Sequence, residues 1–407
     1  MTFPRTRIQP PRPRSASVAR PALESALADA LRSRRVALLC APAGYGKTTL
    51  LVQALARLPA GHAVAWVSAD PGDDLQRLLE CVLAALEPFD PPWRAAPATL
   101  VQRVAQGAEA QRAVAAELIN ALDACEVEHG VLVIDDLHRV DDPAFFHFLD
   151  RLVERMSGRW TLALASRTEP PVPLARLRAA GELAELRQLQ LQFARDEARR
   201  LGRSAGLDDT LADRVFDRTQ GWPAAMRIAL AAVPAEGTGG RVDAGGDWSA
   251  ALERALRAGE RPMFEFLSTE VLDQLRPELA DFLLKVSVLP ELEPARCTAV
   301  SGHANAAAML DETERLGLFG DVLDGPVRAL RLHDLFRDAM QQRLALRDPG
   351  LLLESRRRAA ATEPDPVRRI ALLLEAGDLE AAARLAFEHI PATLVTAGPS
   401  AAVGLLG

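Results

Sequence analysis

Apolar and polar positions along the chain change period several times, and the changes divide it into parts. Residues 22–33 space their leucines for a helix, Val36–Cys40 is a short unbroken apolar run, and residues 47–58 return to a helical pattern. The alternation continues: Ala63–Ser68 reads as a strand, Leu75–Leu86 as a helix, Val131–Ile134 as a strand, residues 143–156 as a helix and Trp160–Ala165 as a strand. Strands that are apolar throughout and alternate with helices predict a parallel sheet covered on both faces. From 195 to 232 the pattern is wholly helical, and the Gly-rich stretch 233–247 reads as a linker. Helical patterns at 263–274 and 277–288 then precede 316–332, where Asp324-Gly325 stands between two alternating apolar runs. Asp-Gly there is a hairpin signal, although Pro326 limits pairing at the start of the return strand. Helices followed by one hairpin predict a winged-helix unit. Residues 366–390 form a helix pair broken at Ala376-Gly377-Asp378, one helical-hairpin repeat by its pattern. A solenoid needs about three repeats, so the chain is expected to stop inside a larger protein.

At 407 residues, more than one core is expected. A net charge of −7 argues against the whole chain being a nucleic-acid binder. The four cysteines (Cys40, Cys81, Cys125, Cys297) are scattered without metal-type pairing, as expected of thiols in a reducing cytosol. No apolar run is long enough for a membrane helix, so a cytoplasmic protein without membrane contact is expected. The first 20 residues hold five Arg, four Pro and no acid, and lack the apolar region of a secretory signal. They read as an extended arm.

Between the apolar run 36–40 and the helix that follows lie Ala41-Pro42-Ala43-Gly44-Tyr45-Gly46-Lys47-Thr48-Thr49. This is a P-loop in its strand–loop–helix context, with Ala41 where the first glycine of the pattern usually stands. Backbone N–H groups over Ala43, Gly44, Tyr45, Gly46, Lys47, Thr48 and Thr49, together with the positive helix end, would cradle a phosphate chain. Lys47 would reach the outer phosphates and the Thr48 hydroxyl would bind Mg²⁺. The plainer reading is a Gly-rich turn with a surface lysine. ATP or GTP is the expected ligand.

The run Val131-Leu132-Val133-Ile134 ends in Asp135-Asp136, two carboxylates at a strand's C-terminal end, where ligands bind in α/β sheets. Asp135 would hold Mg²⁺ directly or through water, and Asp136 would orient or activate the attacking water; alone, such a pair is more often a solvated turn. Arg167, just past the strand 160–165, would sense the γ-phosphate, or else bridge surface charges. Gly221-Trp222-Pro223 either starts a helix with Pro in its first turn or sets Pro223 against the adenine from a helical lid. His138 and His333 are lone histidines, structural by default, that stand next to the second carboxylate and at the close of the hairpin.

Taken as a series, these segments resemble one family. Ala41–Leu50, Ala65-Trp66-Val67-Ser68-Ala69-Asp70, Ile134-Asp135-Asp136-Leu137-His138, Ser166–Pro171, Leu174–Leu183, Gly221-Trp222-Pro223-Ala224, Phe264–Leu267 and Leu332-His333-Asp334-Leu335-Phe336 are similar, in this order, to the MalT-type, LuxR-family ATP-dependent transcriptional activators. These are signal-transduction ATPases of the STAND class. The resemblance implies an α/β P-loop NTPase core with a helical lid, a winged-helix domain and the start of an α-helical repeat arm. The expected limits are an arm over 1–20, core 21–194, lid 195–232, linker 233–250, winged helix 251–350 and repeat region 351–407. It implies a switch in which ADP holds the closed state and ATP with a small-molecule or protein inducer opens it, drives self-association, and is slowly hydrolysed. It also implies that Pro223 meets the adenine, that His333 contacts the ADP β-phosphate, and that the segment with Arg20 and Pro21 packs near the base. Leu137 and Asp334 depart from the residues frequent in the family. No LuxR-type helix-turn-helix appears, so DNA binding is implied for a parent protein and an inducer is expected to bind the missing C-terminal region. The rival expectation is a P-loop ATPase or kinase turning over a separate substrate.

Overall fold

In the computed structural model the described residues are 3–12, 18–231, 267, 272–316, 320–323 and 329–397. The expected linker 233–250, Phe264–Phe266 and the Asp324-Gly325 turn lie outside them. The chain divides into two units, Met1–Leu256 and Arg257–Gly407, each described by itself.

The first unit is built on a five-stranded sheet in the order β2-β3-β4-β1-β5. Its strands are β1 (Val36–Cys40), β2 (His62–Ser68), β3 (His129–Asp135), β4 (Trp160–Ser166) and β5 (Leu183–Arg187). All neighbours run parallel. Every residue of β1, β3 and β4 is buried. That double-sided burial is why these strands read as unbroken apolar runs rather than alternating ones. Gly130 in β3 pairs with Trp160 of β4, whose ring lies where a Cβ would stand, so this strand position requires glycine.

The helices α1 (Pro21–Ser33), α2 (Lys47–Leu55), α3 (Leu75–Leu86), α4 (Pro97–Val104), α5 (Ala108–Asp123), α6 (Pro143–Arg155) and α7 (Leu174–Ala179) accompany the sheet. α3 starts where the Asp74 carboxylate accepts the Arg77 N–H at 2.8 Å, an N-cap. Its Leu75, Leu78, Leu79, Val82, Leu83 and Leu86 join the core shared with β1–β4. The helical pattern expected over 47–58 ends at Leu55. β5 was not legible as a strand: Leu-Ala-Glu-Leu-Arg is half-buried at the sheet's edge and carries Glu185 and Arg187. After β5 come α8 (Gln188–Leu191), α9 (Arg195–Ser204), α10 (Asp209–Thr219) and α11 (Pro223–Ala231), with a core of their own from Phe193, Ala198, Leu201, Val215 and Met226.

In the second unit α12 (Pro277–Val286), α13 (Pro294–Ser301) and α14 (Ala306–Arg315) precede an antiparallel pair, β6 (Gly320–Leu323) and β7 (Ala329–Leu332). This is the helices-then-hairpin pattern of a winged helix. α15 (Asp334–Arg347), α16 (Pro349–Thr362), α17 (Pro366–Glu375) and α18 (Leu379–Ala397) follow. A buried ion pair between Arg296 of α13 and Glu363, at 2.5 Å, ties the end of α16 to the first helices.

Candidate functional site

Sheet order assembles the candidate site. β4 lies between β3 and β1, so the residues that follow these three strands meet along one edge: the P-loop after β1, Asp135-Asp136 at the end of β3, and Arg167 after β4. C-terminal strand edges are where open α/β sheets bind ligands.

The P-loop turns through two left-handed glycines, Gly44 (φ 79) and Gly46 (φ 78). Gly46 caps α2 without a side-chain hydrogen bond, which leaves the first helical N–H groups and the positive end of the dipole for an anion. Lys47 is 7 % exposed and folds back on the loop, donating from Nζ to the carbonyls of Ala41 at 2.7 Å and Pro42 at 3.0 Å. Burial, then the nearby Arg167 charge, lowers its pKa to about 8.

Across the edge, Thr48 Oγ1 donates to Asp135 Oδ2 at 2.9 Å, and the Asp136 N–H donates to Asp135 Oδ1 at 3.0 Å. Burial, then the neighbouring Asp136 carboxylate, raises the Asp135 pKa to about 6. Asp136 adopts a left-handed backbone (φ 55), a conformation Asp tolerates better than most residues. Its carboxylate lies 3.6 Å from Arg139, which is 3.8 Å from Asp70; Asp70 in turn meets Arg7 at 3.1 Å. Arg7 also donates to Asp73 and, at 3.1 Å, to the Ser68 carbonyl at the end of β2. This chain of charges joins the N-terminal arm to the acidic pair. Sequence reasoning missed Arg139 and Asp70; the i, i+3 spacing of Asp136 and Arg139 was the available signal.

The donor set fits Mg²⁺ with a nucleotide. Mg²⁺ takes one or two protein oxygens and completes its shell with phosphate and water. Thr48 and Asp135 supply such a pair, and no cluster of three or more metal-ligating side chains occurs among the described residues. His138, just past the acidic pair, has both ring nitrogens buried without a hydrogen-bond partner among the described residues, and burial, then the charges of Arg167, Lys47 and Arg139, lowers its pKa to about 3.

The helices after β5 grip the P-loop. Trp222, wholly buried, donates from Nε1 to the Ala43 carbonyl at 3.1 Å, and the Ala224 N–H donates to the Gly44 carbonyl at 3.1 Å. Its ring stacks on Tyr45 with centroids 6.4 Å apart and planes 22° apart. Pro223 begins α11 in this same contact, and Thr49 follows Thr48 in the first turn of α2. In the Gly221-Trp222-Pro223 motif the tryptophan side chain makes the contact with the P-loop. Arg20 is drawn to the same helices: its guanidinium donates to Glu197 at 2.8 Å and to the carbonyls of Gln190, Leu191 and Gln192 at 3.1, 2.8 and 2.9 Å, and lies 5.5 Å from the Phe193 ring. In the second unit His333 caps α15, its Nδ1 accepting the Leu335 N–H at 3.2 Å.

These features define a P-loop ATPase followed by a winged helix. Residues 19–164 match the family model of an AAA ATPase domain, and residues 268–352 that of the MalT winged helix domain. The chain thus carries matches to both of these domain types, the ATPase first and the winged helix after it. The serine/threonine-protein kinase PknK of Mycobacterium tuberculosis is 34% identical over 375 residues, a match covering 88% of this chain and 31% of that protein. The HTH-type transcriptional regulator MalT of Klebsiella pneumoniae is 30% identical over 365 residues, covering 87% of this chain and 39% of that protein. The chain therefore spans roughly a third of the length of these curated relatives. A Walker-type ATPase of Pyrococcus abyssi shares the fold, with a TM-score of 0.53 at 13% identity over 82% of this chain and 98% of that one. No described helix is long and apolar enough to cross a membrane.

Proposed function

We propose that this chain is the ATP- and ADP-binding switch module of a cytoplasmic transcriptional regulator. ADP holds the module closed; ATP with an inducer opens it and drives self-association; slow hydrolysis resets it. The observation that carries the reading is the 2.9 Å hydrogen bond from Thr48 to Asp135, which joins the P-loop helix to the carboxylate element. In this reading Ala43 through Thr49 hold the phosphates, Thr48 and Asp135 hold Mg²⁺, Asp136 orients water and Arg167 senses the γ-phosphate. Pro223 packs at the adenine, and His333 meets the ADP β-phosphate in the closed state. The Arg20 guanidinium is taken up by the helices after β5, so Arg20 serves the base through the segment it anchors. The domain limits are those expected from the sequence, with the helices from 195 as the lid. Inducer and DNA are met by parts of a longer parent protein.

The physical requirement is differential affinity. A ligand that binds two states equally shifts nothing, so ADP must bind the closed state more tightly. The test is to denature the purified chain, identify the released nucleotide by chromatography, and measure steady-state ATP turnover. Retained ADP with slow turnover is expected. Rapid turnover without inducer, from a protein that retains no nucleotide, would overturn the switch in favour of an ATPase or kinase acting on a separate substrate. The Lys47→Ala variant is expected to bind neither nucleotide.

A further inference from the structure

His138 is the buried polar group that the reading above leaves without a task. It stands in the short 3-10 turn Leu137–Arg139 that follows β3, next to a Leu137 that is wholly buried in the core. Neither Nδ1 nor Nε2 has a hydrogen-bonding partner among the described residues, and both are shielded from solvent. Burying a polar atom without a partner is costly, and such atoms call for an explanation. The surroundings supply one. The charges felt at His138 come from three places: Arg167 after β4, Lys47 at the start of α2 and Arg139 in its own turn. Burial and these cations hold the ring in its neutral form, with a pKa of about 3. A neutral imidazole offers one N–H donor and one acceptor. Its donor meets no acceptor among the described residues. An oxygen of a bound anion would accept from that N–H.

That anion is the end of the phosphate chain rather than the base. His138 follows Asp135-Asp136 on β3, and its cationic neighbours are Lys47 and Arg167; the base-side candidate, Pro223, belongs to the helices beyond β5. Resting on the nucleotide-switch reading, we propose that His138 is a specificity-determining residue that distinguishes ATP from ADP, its imidazole N–H donating to a γ-phosphate oxygen in company with Lys47 and Arg167. With a triphosphate bound the ring gains its missing partner. With a diphosphate it does not.

Calorimetric titration of the purified chain with ADP and with a non-hydrolysable ATP analogue tests this without relying on turnover. A hydrogen bond to a charged oxygen corresponds to a loss of roughly tenfold or more in affinity. His138→Ala is expected to weaken the triphosphate analogue by about that factor while leaving ADP within about twofold, and His138→Gln, which keeps a donor, is expected to recover part of the loss. Equal losses for both nucleotides, or no change in either, in a variant whose thermal unfolding matches wild type would overturn the proposal. If His138→Ala does not fold, His138→Gln carries the test: a partial loss of the triphosphate preference supports the role, and unchanged affinities or equal weakening of both nucleotides overturn it. A wild-type chain that binds neither nucleotide would instead overturn the nucleotide-binding reading beneath it.

Discussion

At the scale of single residues, the P-loop lysine shows how environment prepares a group for an anion. Lys47 is buried, its ammonium is held by two loop carbonyls, and Arg167 stands near enough to oppose its charge. A pKa lowered to about 8 means that the ligand-free protein begins to lose this proton just above neutral pH. A bound phosphate favours the charged ammonium, so binding takes up a proton whenever the pH exceeds that value. Affinity for metal-free ADP is therefore expected to be level below about pH 8 and to fall by up to about tenfold for each unit above it, flattening where the bound lysine itself deprotonates. Calorimetry across pH 6.5–9.5, a range chosen around that value, reads this directly. A pH-independent affinity would show that Lys47 is not the phosphate ligand. Asp135 carries the opposite adjustment: burial and the Asp136 charge disfavour its anion until a cation arrives.

At the scale of elements, the contact between the P-loop and the start of α11 is the joint on which a lid would act. A Cβ built on Gly44 would approach the Ala224 Cβ to 2.5 Å and Trp222 Nε1 to 2.8 Å, at a φ of +79 where L side chains are strained. Close approach lets two P-loop carbonyls, those of Ala43 and Gly44, be met by donors from the later helices. Gly44→Ala is expected to destabilise the first unit by about 2 kcal/mol or more, through backbone strain and displacement of Trp222. The Trp222 emission should shift to the red as its buried indole becomes hydrated. A variant as stable as wild type with unchanged emission would show that this joint does not restrain the helices.

At the scale of the whole molecule, the chain divides into two compact units, and buried apolar clusters occur in both. Two unfolding transitions are expected in calorimetry. A ligand that binds only the native state adds about 2.7 kcal/mol at a hundredfold excess over its Kd. ADP is therefore expected to raise the transition of the first unit. If ADP also engages the second unit through His333, as the switch requires, both transitions rise together, and His333→Ala abolishes only the second shift. A second transition indifferent to ADP in the wild-type chain would sink that role for His333.

What was legible in the sequence was what depends on near neighbours. The P-loop, the acidic strand end, the parallel sheet and the helices-then-hairpin order follow from local period, turn residues and short motifs, because burial on both faces of β1, β3 and β4 leaves unbroken apolar runs. β5 escaped because an edge strand carrying Glu185 and Arg187 has no such run. Only the tertiary structure decided that Trp222 donates to a carbonyl 179 residues away, that Arg20 spends its guanidinium on the turn after α8, and that His138 is left without a partner. Each of these depends on which surfaces pack together and how closely. No local pattern encodes that, because an indole or a guanidinium can satisfy its donors at any carbonyl that packing brings within reach.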